Sequence, residues 1–156
     1  MATQTASISG TQAKTGFRRL IPLLSRLVMF PPILIFSMIS LRYFTNPSHA
    51  TSGTTLNTPE AFTDTRVIGA WILTLLMMLI TFLSSNRRLW MGHLQLAFFM
   101  AAALVVRIFG FVHDGTTLAM GNQRVITIAE IIFLTLNLIG LVVQARWLKE
   151  VHSGPS

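Results

Sequence analysis

The sequence predicts an all-α fold, an integral membrane four-helix bundle with both termini in the cytoplasm, and three observations predict it. Of 156 residues, 52% are hydrophobic and only 11% are charged, where ordinary soluble domains carry roughly a quarter charged residues. Four apolar stretches, residues 20–44, 67–84, 89–112 and 125–148, approach the about 20 residues needed to cross hydrocarbon as a helix. The charges also segregate. Lys14, Arg18, Arg19, Arg26, Arg87, Arg88, Arg146 and Lys149 fall at the ends that an even number of spans places on one side. The other side balances Arg42, Arg66, Arg107 and Arg124 against Glu60, Asp64, Asp114 and Glu130. The positive-inside rule then puts both termini in the cytoplasm, and the basic ends attract anionic headgroups. A β-barrel is not expected, because these stretches are continuously apolar and lack the alternation of lipid-facing strands.

Residues 1–16, rich in Ser, Thr, Gln and Ala, predict a disordered cytoplasmic tail. Residues 17–150 form the transmembrane domain, and 151–156 a second cytoplasmic tail. Pro31-Pro32 interrupts the first span by removing two amide donors. A span beginning there would be too short before Arg42, so a kinked helix with Arg26 snorkelling to the inner surface is expected. Phe17-Arg18-Arg19-Leu20 and the later Ser48-His49-Ala50 superficially match a twin-arginine leader with a small-x-small cleavage site. The apolar region is too long for such a leader and Arg42 intervenes, so the span is read as uncleaved.

Residues 45–65 form the longest loop, on the extracytoplasmic side. Arg66 and Gly69 open the second helix, whose Thr74 and Thr81 share one face. Ser84-Ser85-Asn86-Arg87-Arg88 makes a tight cytoplasmic turn, and Trp90 sits at the interface beyond it. Ala97, Ala101, Ala102 and Ala103 keep the third helix narrow enough for close approach. Trp147 and Lys149 close the fourth at the cytoplasmic surface.

The formal charge of +7 invites a nucleic-acid reading, but no basic region is interleaved with exposed aromatics, so no nucleic-acid partner is expected. The absence of cysteine removes thiolate nucleophiles, iron–sulfur clusters, cysteine-ligated zinc and quinone reductases that work through cysteine pairs.

Arg107 and Glu130 are charges inside apolar stretches, placed symmetrically about the connection 113–124, which opens with the polar turn His113-Asp114-Gly115-Thr116-Thr117. The same counting sets Met100 opposite Asn137 and His93 opposite Gln144. Each set steps by seven residues, two helical turns, so each follows one face with a drift of about 20° per step. This is a polar seam between two antiparallel helices. A charge in hydrocarbon costs at least about 2.5–3.5 kcal/mol on insertion scales, so two at one depth imply pairing.

Arg66-x-x-Gly69 opening the second span, Arg107 followed by Asp114-Gly115, and Glu130 early in the fourth resemble small bacterial membrane proteins grouped as domain of unknown function 4345, over roughly Leu27 to Leu148. That resemblance implies a four-helix protein of the bacterial cytoplasmic (inner) membrane, and no activity.

Arg107 and Glu130 can satisfy each other as a bidentate pair that fixes helix register. They can also form a ligand-dependent switch or an anion site. If Gly110 ends the third helix early, Arg107 reaches lipid phosphate instead. His93 reads as a hydrogen-bonding residue beside Gln144, since Met100 on the same helix cannot be a second axial haem ligand. His49, Glu60, Asp64, His113 and Asp114 have metal-binding chemistry at no recognised spacing. Arg66, His113 and Asp114 are kept as a possible extracytoplasmic site. Ser37 and Ser40 have no histidine or carboxylate at local spacing, so no catalytic residue is named. Neither a metal nor a cofactor is expected. The leading expectation is a non-enzymatic structural or partner-binding subunit, in contact with membrane lipids and with a protein partner or a second copy. The alternatives are a small-solute or ion transporter working as an oligomer, and a membrane redox or lipid-modifying enzyme with a bound cofactor.

Overall fold

The computed structural model describes residues 3–50, 58–113, 115, 117–119 and 122–152, with the backbone alone for 3–19, 49 and 50. Among these residues every regular element is helical: α1 (Thr3–Thr45), α2 (Pro47–Ala50), α3 (Pro59–Leu83), α4 (Leu89–His113) and α5 (Gln123–His152). Four of them, with α1 counted from Leu20, are long and apolar enough to cross a membrane.

Two boundaries differ from the sequence expectation. The second long helix begins at Pro59, well ahead of Arg66. Thr58 is its N-cap, in extended conformation with its hydroxyl oxygen accepting from the Ala61 amide at 3.2 Å; Pro59 follows at the first helical position and Glu60 lies in the first turn. A cap, a proline that needs no amide partner and an acid at the positive helix end outweigh the polar character of residues 59–65. The loop expected over 45–65 is shortened accordingly, and α2 occupies its start. At the other end of the chain α1 begins at Thr3, within the stretch whose composition suggests an unstructured tail. Extending an existing helix is cheaper than nucleating one, and Ala and Gln do not oppose it.

The chain divides into two compact units, Met1–Met29 with Ser85–Ser156, and Phe30–Ser84. The division cuts α1 just ahead of Pro31-Pro32. The helix continues through both prolines, yet neither can donate to the carbonyls of Leu27 and Val28, so the hydrogen-bond ladder is interrupted where the units part.

Within the first unit, the buried residues of α4 are Leu89, Gly92, His93, Leu96, Ala97 and Met100, a stripe at three- and four-residue spacing that marks one helix face. α4 packs on α5, whose buried residues are both amides, Asn137 and Gln144. Opposite faces carry large apolar side chains in the open, among them Phe98, Val105, Val106 and Val112. A helix pair that exposes its hydrophobes and buries its amides is inverted relative to a water-soluble pair.

Within the second unit, α1 meets α3 at Gly69. A Cβ there would lie 2.9 Å from Cβ of Tyr43 and 3.3 Å from both Cδ2 of Phe44 and the Ser40 carbonyl oxygen. Ser40, buried, donates its hydroxyl to the Gly69 carbonyl at 2.9 Å. The glycine admits the neighbouring helix and the serine fastens it. In an open helix Gly→Ala gains about 0.5–1 kcal/mol from propensity. Gly69→Ala should instead lower the thermal unfolding temperature of the detergent-solubilised protein, and Gly69→Leu should lower it further, by about 1–3 kcal/mol of overpacking. A stabilised Gly69→Ala would show that the helices do not touch there.

Candidate functional site

The seam between α4 and α5 holds two polar clusters. In the first, the Arg107 guanidinium lies flat against the Glu130 carboxylate: Nε donates to Oε2 at 2.8 Å and Nη2 to Oε1 at 2.7 Å. Nη1 donates to Oε1 of Gln123, in the first turn of α5. The side chains of Arg107 and Glu130 keep 18% and 13% of their accessible surface, so the pair is mostly but not wholly withdrawn from its surroundings. α4 runs on to His113, so Gly110 does not end it, and Arg107 meets Glu130. All three guanidinium nitrogens have a protein acceptor, and both carboxylate oxygens have a donor.

The second cluster lies toward the other end of α4. His93 is fully buried, and its Nδ1 lies 3.0 Å from Oδ1 of Asn137. The direction of this bond follows from the rest of the network. Asn137 Nδ2 already donates to the Phe133 carbonyl at 2.8 Å, so Oδ1 is an acceptor and the imidazole must carry its proton on Nδ1. Nε2 then presents a lone pair, buried and without a partner among the described residues. Anchoring through Nδ1 is also how metal-bound imidazoles are oriented. No group of three His, Asp or Glu residues that could hold a metal comes together among the described residues, however.

Gln144 has different partners from those expected. Its Oε1 accepts from the Ser25 hydroxyl at 3.2 Å and its Nε2 donates to the Asn86 carbonyl at 2.8 Å. The Asn86 side chain accepts from Nη2 of Arg26 at 2.7 Å. One turn residue is thus held from α1 and α5 at once. Arg26, expected to snorkel to the inner surface, thus bonds this turn.

Counting from the loop places His93 beside Gln144, whereas its bond is to Asn137. The reason is Gly140. A Cβ at this position would stand 2.6 Å from both ring nitrogens of His93, so the imidazole occupies the space that any other residue would fill. Equal counting fixes the level of Cα atoms but not where a side chain ends. Gly140 lies on the same α5 face as Asn137 and Gln144, three residues after one and four before the other, and that placement is the signal by which the sequence could have revealed it. Gln123, which opens α5, Asn86, in the turn before α4, and Ser25, within α1, carried no comparable signal, being ordinary polar residues.

Of Arg66, His113 and Asp114, the two that are described belong to different units. Arg66 belongs to Phe30–Ser84, where it flanks a hollow with Thr58, Pro59, Phe62 and Thr63. His113 ends α4 in the other unit, its ring 4.3 Å from that of Phe109. Asp114 lies outside the described residues, as does the side chain of His49. No family model, characterised protein or solved structure matches the chain.

Two outcomes follow from this geometry. Removing one partner of a fully buried ion pair costs about 3–5 kcal/mol, and less where some access remains. Arg107→Leu and Glu130→Leu should each lower thermal stability, with the double variant recovering part of the loss; strictly additive losses would contradict the contact. Gly140→Ala should destabilise despite the better helix propensity of alanine, and His93→Ala in the same chain should remove most of that penalty, because the ring is the obstacle. A Gly140→Ala penalty unchanged by His93→Ala would place the clash elsewhere.

Proposed function

We propose that the chain is an integral membrane protein of four spans with both termini in the cytoplasm, acting as a structural or partner-binding subunit in a bacterial cytoplasmic membrane. The observation that carries this reading is the pairing within the seam: each guanidinium nitrogen of Arg107 donates to Glu130 or Gln123, and Gln144 bonds Ser25 and Asn86. An arginine that offers all its nitrogens to protein is a poor anion site, and a carboxylate held by a permanently charged guanidinium is a poor proton carrier. The apolar faces of α3, α4 and α5 support lipid or helix contact. Segregation of the basic residues supports the orientation. The resemblance to the domain of unknown function 4345 proteins, through Arg66, Gly69, Arg107 and Glu130, belongs to the same proposal.

The specific rival is a transporter, because Arg107 and Glu130 keep some accessible surface. The chain has no native cysteine, so single-cysteine labelling separates the two. Leu138→Cys, on an exposed position, should react with a lipid-soluble maleimide while Asn137→Cys stays protected, and Glu130→Cys should resist a water-soluble maleimide from either side. Ready aqueous labelling at 130 would favour the transporter. Reporter fusions after Gly154 and within residues 51–58 should read cytoplasmic and external, and an external C-terminus would sink the topology.

A further inference from the structure

Arg42 is a charged group within a candidate span that neither polar cluster uses. It lies in the last turn of α1, exposed and with no carboxylate partner among the described residues. With Ile35, Met38, Ile39, Leu41 and Thr45 it lines an open trough of about 510 Å³. Positions 35, 38, 39, 42 and 45 recur at helical spacing along one face. That face is turned away from α3, since Ser40, Tyr43 and Phe44 meet Gly69 and Arg42 lies two residues, about 200°, round the helix from Ser40. The Thr45 hydroxyl already donates to the Leu41 carbonyl at 2.9 Å. The guanidinium is therefore the polar group the trough has to offer.

We propose that this face binds a phospholipid of the leaflet at the C-terminal end of α1, with an acyl chain along Ile35, Met38 and Ile39 and the phosphate on Arg42. The order of chemistry along the helix matches that of a lipid: about 10 Å of apolar wall and then one cation, reached as the helix approaches the headgroup level. A guanidinium fork suits a phosphate. A protein occupant would have to bring its own carboxylate into the membrane edge, while a lipid places its phosphate there at no such cost.

The inference rests on the membrane reading, and the test separates the two. The full-length protein in detergent would be titrated with phosphatidylglycerol and followed by native mass spectrometry. Arg42→Gln should weaken retention about fivefold, the scale of one basic residue at a membrane surface. Met38→Gln, at an exposed position, should also weaken it. Arg66→Gln, outside the trough, should leave it unchanged, and millimolar inorganic phosphate should not displace the lipid. Wild-type retention in Arg42→Gln, an equal loss in Arg66→Gln, or displacement by inorganic phosphate would each overturn the lipid site. Release of the chain from native membranes by alkaline extraction would overturn the membrane reading and this site with it.

Discussion

A carboxamide, an imidazole or a guanidinium withdrawn from water has only protein to bond to, and that constraint organises the unit that holds α4 and α5. Water would otherwise satisfy Asn137, Gln144 and Arg107 at little cost; without it each must find a partner on a neighbouring element. The partners found are specific. Asn137 receives the His93 proton, Gln144 bridges Ser25 and the Asn86 carbonyl, and Arg107 is received by Glu130 and Gln123. Apolar contacts between helices gain little in lipid, so in four helices apolar enough to cross a membrane such bonds and close backbone approach take on the role that burial of leucine has in water.

Close approach requires the second ingredient, glycine at the crossing points. Gly69 admits Tyr43 and Phe44, and Gly140 admits the His93 ring. In both places a hydrogen bond forms within a turn of the glycine: Ser40 to the Gly69 carbonyl itself, His93 to Asn137 three residues before Gly140. The pairing is physical. A short polar side chain can reach across only where no Cβ holds the helices apart, and the glycine is a gain only where a bond exploits the gap.

The four long apolar helices were legible in the sequence because their signals are coarse and redundant: four stretches of sufficient length with charges at their ends. Helix starts were less legible. The cap Thr58-Pro59-Glu60 was hidden among the loop-forming residues around it, and the hydroxyl contact to the Ala61 amide, the proline and the acid together mark it. Of the candidate site, the Arg107–Glu130 level could be read because opposite charges in hydrocarbon admit few arrangements. His93 could not be assigned by counting, because its partner is decided by the missing side chain at Gly140. The contacts of Ser25 and Asn86 depend on how α1 and the turn come together, and no local pattern encodes that.

The depth of each group follows its cost of desolvation. Asn137 lies midway along α5 (Gln123–His152) and is neutral and fully buried. The charged pair is displaced toward the loop end, where Gln123 in the first turn can supply another acceptor and some surface stays accessible. A neutral amide needs one or two bonds to be tolerated when buried in mid-helix, whereas a guanidinium has five N–H donors to satisfy and is better placed where more polar groups are within reach. Between the two levels on α4 lies Met100, buried and apolar, so the clusters form no continuous polar path along that helix. The polar groups of the α4–α5 seam are thus gathered at two separate levels, His93 with Asn137 and Arg107 with Glu130 and Gln123.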